Sequence, residues 1–420
     1  VTMVAIVVLA FAMGAGFKNM NAEPSPTPAP AAVVTATQPA TAKPTATPRP
    51  TPLRTVVPVT PTPTDAHPWT WTRMDFQVNL GALPEQNMWA VGDHVLLLGQ
   101  TYDNFDRATF EIASINSGFG WAAYAVPSAI TDIDGETVID DHLWFMGRVP
   151  GVSAENDSWQ LVGTQTGASW ESLGPTDAFD QIAGPSAGKG NGFGFVGRVG
   201  DVWVVETYQD GEPPKLYWSD EGRHWNVAKQ PAIKGNVQIS GSAMFRDRML
   251  VLGWSFIDFE HVESFILSST DGRTWEQLDL GLQPGAGIGG LACNVDACVA
   301  AEDPREGAGT VRNLWVTHDG DSWDKVSIDL PSVDSGSPIR LIKPTNAGFI
   351  AIAGFTDTAL LSGDGRTWRQ IDGIRPAISH ETLVNLAVAG DLVVGYGSSG
   401  SSDIPNALWR GSLKVMEAAP

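Results

Sequence analysis

The chain has 420 residues, 43% of them hydrophobic, with 45 glycines, 16 tryptophans and a formal net charge of -21. That is enough apolar material for a large core, and the glycine–tryptophan balance fits short strands joined by tight turns rather than long helices. Residues 1–66 hold four basic and two acidic residues and the remainder 22 and 45, an acidic balance that disfavours nucleic-acid partners, which need concentrated Lys and Arg.

Residues 1–21 open on a continuous apolar run, Val1 to Gly16, that is short for a membrane span and lacks the positive flank of a secretion signal. Export with an N-terminal anchor is expected, with cleavage as the alternative. Residues 22–66 are dominated by Pro, Thr and Ala. Such a stretch cannot fill a core and reads as an extended stalk of polyproline II character. The folded domain is expected over residues 67–420.

Within it one pattern recurs. Leu267-Ser-Ser-Thr-Asp-Gly-Arg-Thr-Trp275 returns as Leu361-Ser-Gly-Asp-Gly-Arg-Thr-Trp368, Val316-Thr-His-Asp-Gly-Asp-Ser-Trp323 and Tyr217-Trp-Ser-Asp-Glu-Gly-Arg-His-Trp225. Degenerate copies end at Trp121 and Trp170. The closing tryptophans are spaced 49, 55, 50, 48 and 45 residues apart, a period that calls for stacked units, each burying its apolar face on the next. The predicted turn residues are Ser219, Gly222 and Trp225; Ser268, Asp271, Gly272 and Trp275; Thr317, Asp319, Gly320 and Trp323; Ser362, Asp364, Gly365 and Trp368. An Asp carboxylate accepts backbone N–H bonds two residues on, Gly admits positive φ, and the indole can pack over the adjoining unit. Each feature has a structural task, so the motif points to architecture rather than chemistry.

These copies resemble the Asp-box, or BNR, repeat of sialidases, sortilin-type receptors and many secreted bacterial proteins. The resemblance implies an all-β, seven-bladed β-propeller of four-stranded blades, with the repeated turn joining the two outer strands of each blade at the rim. In chain order the inner strands are read at residues 87–91 and 94–99, 137–139 and 143–147, 239–245 and 249–253, 339–342 and 349–354, and 383–388 and 392–396. In unit three, residues 192–197 are read as the second strand, with a poorly marked first strand near residues 180–183 and a possible extension at residues 202–205. Residues 67–76 look like a strand lacking its preceding turn, and residues 406–413 like a strand lacking its following one. Joined in one blade, they would close the ring.

Cys293 and Cys298 bracket Asn-Val-Asp-Ala between two apolar runs, and a structural disulfide across that hairpin is expected. A redox pair and a metal pair are the alternatives, weakened by the four-residue spacing and by the lack of further ligands. The loops between second and third strands, residues 150–157, 208–214, 258–264, 303–309 and 398–405, vary most, and their face of the ring is the expected recognition surface.

The sialidase resemblance would imply three arginines, a tyrosine–glutamate pair and an acid/base aspartate. No Phe-Arg-Ile-Pro signature is present. Arg148 and Arg198 follow Gly147 and Gly197 and are read as matching positions; Arg340 lies on an inner strand; Arg223, Arg273 and Arg366 fall in the rim turns; Tyr396 ends an inner strand. No complete catalytic set maps onto the chain. A hydrolase using two carboxylates across the channel is the alternative, with Asp93, Asp140, Asp141, Asp247 and Asp391 as candidates. The seven histidines are dispersed, Asp132-Ile-Asp-Gly-Glu136 reads as an acidic turn, and no metal or cofactor signature stands out. The expectation is a monomeric, exported propeller that binds a protein or glycan on one face.

Overall fold

In the computed structural model, residues 72–413 are described apart from residues 75–86, 103–107, 117–119, 151–157, 177–191, 210–211, 257–261, 283–286, 304–310, 330–337, 354–357, 372–381 and 399–406. All of them belong to one unit, Leu53–Pro420. The predicted anchor and stalk therefore lie outside the described residues.

The described residues form seven four-stranded antiparallel sheets. Their innermost strands are Met88–Val91, Asp132–Ile139, Gly192–Val199, Asn236–Phe245, Gly287–Cys293, Ile339–Thr345 and Thr382–Ala389, for blades 1 to 7 in turn. Each contacts the next, and that of blade 7 contacts that of blade 1, so the seven sheets make a closed, seven-bladed β-propeller. In blades 1 to 6 the strands run outward in chain order. Blade 7 takes its outermost strand, Thr72–Met74, from the N-terminal side of the ring, paired antiparallel with Ala407–Ser412 through Thr72↔Arg410 and Met74↔Leu408.

Seven hydrophobic clusters fill the seven spaces between blades. A second strand is covered on both faces by neighbouring sheets, which is why runs such as Met249-Leu-Val-Leu252 are apolar without alternation. Outermost strands such as Asp324–Asp329 alternate between exposed and half-buried residues, as one-sided strands do.

Two sequence expectations change here. Gly192–Val199 is the innermost strand of blade 3 and Val202–Gln209 the second, so that unit is shifted by one strand; residues 180–183 lie outside the described residues. Asp132-Ile-Asp-Gly-Glu136 is not a turn but the first half of the innermost strand of blade 2. The backbone stays extended there because a bulge, not a reversal, absorbs Gly135.

Cys293 and Cys298 face each other at the end of the first hairpin of blade 5 and are joined by a disulfide. The turn they close carries Asn294, whose Nδ2 donates to the Gly348 carbonyl of blade 6 at 3.1 Å.

Candidate functional site

The tryptophan-terminated turns are built alike. A hydroxyl three residues before the glycine accepts its N–H: Ser219 for Gly222, Ser269 for Gly272, Thr317 for Gly320 and Ser362 for Gly365, at 2.8–2.9 Å. In the second of these the residue is Ser269 and not Ser268, which is a buried strand residue paired with Leu250. Oδ1 of Asp271, Asp319 and Asp364 accepts the N–H groups two and three residues on. These bonds hold the Asp319 carboxyl at about 2, and they keep those of Asp271 and Asp364 low against the opposing effect of burial. Gly272 and Gly365 have φ of 68° and 75°, and a Cβ on Gly365 would meet Val299 Cγ2 of the preceding blade at 2.7 Å. Each turn is thus pressed onto the blade before it. Its tryptophan joins the shared core, Trp275 with Val204 and Leu216, for example.

Arginines tie turn to turn. Arg273 donates to Asp220, Arg366 to Asp324 and His318, and Arg223 to the Leu173 carbonyl, each on the preceding blade. Arg248, following the first turn of blade 4, reaches the Gly320 carbonyl and Asp321. These contacts place the first hairpin turns at the same end of the ring as the tryptophan-terminated turns.

At the other end, where the innermost strands enter, six of the seven carry a bulge. The register slips between Asp134 and Thr137, Phe193 and Phe195, Ile239 and Gly241, Ile288 and Gly290, Ile339 and Leu341, and Leu383 and Asn385. A bulge leaves one residue without a cross-strand partner and re-aims the backbone. Gly194, Ser240 and Gly289 are such residues, and all three are exposed.

Acidic side chains gather there between blades 2 and 3. A Cβ on Gly135 would lie 3.2 Å from the Phe195 carbonyl carbon, so glycine lets the two innermost strands close on each other. Asp132, Asp134 and Glu136 come from blade 2, Glu206 and Tyr208 from the second strand of blade 3. Gly192 and Gly194 leave room for them. A Cβ on Gly192 would meet Tyr208 Oη at 2.5 Å and Asp134 Oδ2 at 2.8 Å, and one on Gly194 would meet Glu206 Oε2 at 1.5 Å. Glu206 is 2% exposed and Tyr208 41%, so the group runs from the blade interior to the surface.

Burial pushes the Asp134 carboxyl up to about 8, with the Asp132 and Glu136 charges adding, while the Phe193 N–H opposes. Burial likewise lifts Glu136 to about 7 and Glu206 to about 8, the latter against a hydrogen bond from the Gly194 N–H. Tyr208 rises to about 12 through burial and the surrounding carboxylates. Asp132 is raised by burial, restrained by the Ile133 N–H and Arg148. Blade 5 repeats the arrangement in smaller form: Asp303, raised by burial, lies 2.4 Å from the point where a Gly289 Cβ would sit. Carboxyls that keep their protons near neutrality both donate and accept hydrogen bonds, and can give a proton to a leaving group.

The residues singled out from sequence fare differently. Asp93, Asp140, Asp141, Asp247 and Asp391 sit in the first hairpin turns, one or two per blade at the end opposite the acidic group; Asp140 meets Arg198, and Asp391 meets Ser412. Arg148 and Arg198 are not equivalent. Arg148 stands opposite Asp132 at the acidic end, whereas Arg198 binds Asp140 and Asp201 and stacks on Trp203 at the other. Tyr396 is buried between blades 7 and 1. Arg340 occupies the bulge of blade 6. Among the described residues no three His, Cys, Asp or Glu side chains are arranged to hold a metal ion. Most of the variable loops, including residues 151–157, 304–309 and 399–405, lie outside the described residues. Sequence reasoning set Asp134 and Glu136 aside as an acidic turn, placed Tyr208 only at the start of a variable loop, and missed Glu206. The available signal was Glu206, a lone charge directly after the apolar run Val202-Trp-Val-Val205, facing a Gly-x-Gly strand.

No family model matches the chain, and no curated protein does. Among solved structures it is similar to "YCF48 bound to D1 peptide" at 16% identity, with 85% of this chain and 99% of that one covered and a TM-score of 0.49. It is also similar to the β-propeller domain of the Trilobed protease from Pyrococcus furiosus (10% identity, 78% and 94% covered, TM-score 0.49). One of two prolyl endopeptidases gives 11% identity and a TM-score of 0.50, with 78% of this chain and 48% of that one covered, so the chain spans about half of it. At these identities the likeness is one of fold: the chain is similar to β-propellers of several kinds.

Proposed function

We propose that this chain is a recognition propeller of the Asp-box type, displayed outside the membrane on its N-terminal stalk, and that it binds a glycan or protein ligand at the end of the ring where the innermost strands enter. The observation that carries the reading is the group formed by Asp134, Glu206 and Tyr208 around the glycine-bared strand of blade 3. Glycines there expose backbone, the carboxyls act as paired donors and acceptors, and Tyr208 adds a ring with a polar tip. Such a surface suits a partner rich in hydroxyl or amide groups. The apolar start and the Pro/Thr/Ala-rich segment support the surface display.

Titrating the full chain against glycan and peptide arrays tests this. Tyr208→Ala is expected to weaken binding of whichever class is retained by about tenfold, the scale of one lost hydrogen bond to a charged or strongly polar group. Binding unchanged by that substitution would count against the reading. A second reading is acid/base hydrolysis of a glycan, favoured by carboxyls held near 7 and 8. In that case the same array is cleaved, and Glu206→Gln, which cannot give up a proton, abolishes turnover while leaving binding in place.

A further inference from the structure

The seven innermost strands bound the central channel and hold six charged residues. Asp132, Asp134 and Glu136 belong to the acidic group, Arg198 is held by Asp140 and Asp201, and Arg340 stands in the bulge of blade 6. The sixth is Lys343. It is paired with Ile350 and stands two residues before Thr345, the last residue of its strand. At about 3.3 Å per residue it lies roughly 7 Å inward from the first turn of blade 6, away from the acidic end.

Register fixes which way Lys343 faces. Side chains alternate along a strand, so it shares a face with Leu341, which packs against the cluster between blades 6 and 7. The same position, two residues before a two-residue first turn, is Trp89 in blade 1 and Ala387 in blade 7. Each of these packs into the cluster shared with the next blade. Lys343 is therefore turned toward blade 7, whose innermost strand contributes Leu386 and Val388 to that interface. Thr137, Gly197 and Ala243 hold the position in blades 2 to 4, so none of the five counterparts is charged.

Nothing beside it supplies an opposite charge. The second and third strands of blade 6, the innermost and second strands of blade 7 and the innermost strand of blade 5 contain no acidic residue. Among the described residues no hydrogen bond or ion pair reaches the Lys343 ammonium. The side chain is half-buried, as one on a channel wall is, and burial lowers its pKa with no neighbouring charge contributing. An ammonium held among apolar side chains costs stability unless a counter-charge joins it.

The geometry points to Lys343 as an anion site within the channel, one that takes the carboxylate of a ligand entering the ring. One ammonium between apolar walls balances a single negative charge. Phosphate, carrying nearly two, would leave charge uncompensated in an already acidic chain. The carboxylate can come from an acidic sugar or from a peptide C-terminus. The site stands apart from the acidic group of blades 2 and 3, and neither depends on the other.

NMR of the full chain carrying isotope-labelled lysine tests this, with the Lys343 ε-methylene resonance identified by its loss in Lys343→Met. Acetate, glucuronate, triglycine and triglycine amide are titrated separately, with chloride and phosphate as comparison anions. Acetate is expected to move the resonance saturably and to raise the pKa read from it by about 1–3 pH units. Saturation by glucuronate assigns the site to acidic sugars; saturation by triglycine, and not by its amide, assigns it to peptide C-termini. Lys343→Arg is expected to retain acetate binding and Lys343→Met to lose it. Freed of an unpaired cation, Lys343→Met is also expected to melt no lower than the wild-type chain. A resonance that no carboxylate moves, chloride or phosphate acting as strongly as acetate, or a Lys343→Met melting point several degrees lower overturns the proposal. Tyr208→Ala, which reports on the acidic end, is expected to leave the acetate response as it is, so the two sites stand or fall separately.

Discussion

At the scale of single residues, opposite ends of the ring titrate in opposite senses. Asp134, Glu136 and Glu206 have folded-state pKa values raised above the ordinary carboxylate range, to about 8, 7 and 8. The folded protein therefore binds more protons than the unfolded one between roughly pH 4 and 8, and stability falls as pH rises through that window. Asp319, Asp271 and Asp364 are held low by backbone N–H groups and contribute stability that is lost as pH falls below about 4. The melting temperature is expected to peak on the acid side of neutrality, and Glu206→Gln to flatten its decline between pH 5 and 8. A melting profile level across that range in the wild-type chain would remove the raised carboxyls from the account. The turn carboxylates were legible in the sequence; the raised ones were not. Asp132-Ile-Asp-Gly-Glu136 looks like a turn until the bulge at Gly135 is seen to keep it in a strand, and Glu206 acquires its surroundings from strand 192–199, which the sequence places second in its blade instead of innermost.

At the scale of the element, the tryptophan-terminated turn is a joint between blades as much as a reversal within one. Its hydroxyl, aspartate and glycine set the path, and its indole and arginine act on the blade before. Trp275 is 4% exposed and its Nε1 donates to the Gly272 carbonyl, so Trp275→Ala removes both a core ring and a turn contact. A loss of about 3–5 kcal/mol in denaturant unfolding is expected, far more than for an exposed turn residue. This element was legible because its parts are local: spacing, turn chemistry and a large apolar residue at a fixed offset are all written in eight consecutive positions. Only the assignment of the hydroxyl slipped, from Ser269 to Ser268, where two serines adjoin. Bulges were invisible for the converse reason. They are defined by the register of two strands, and a residue such as Gly194 or Ser240 carries no mark of lying opposite nothing.

At the scale of the whole molecule, blade count and closure follow from one period and two half-units at the ends, which is why they could be read before any coordinates. The composition of the mouth could not be, since it depends on which residues seven strands bring to one end. The manner of closure also has a consequence for how the protein is made. Thr72–Met74 is synthesised before every other described strand, and its partner Ala407–Ser412 after every other. Through nearly the whole of translation the first strand has no edge to join, while blades 1 to 6 can assemble from neighbouring segments. Blade 7 is then the last to gain protection in pulse-labelled hydrogen exchange during refolding, with the amides of Thr72–Met74 and Ala407–Ser412 appearing together and later than those of the second strands of blades 2 to 5. A nascent chain stalled short of Ala407 would expose an unpaired sheet edge, making that interval the one in which the cell's holdases have most to shield.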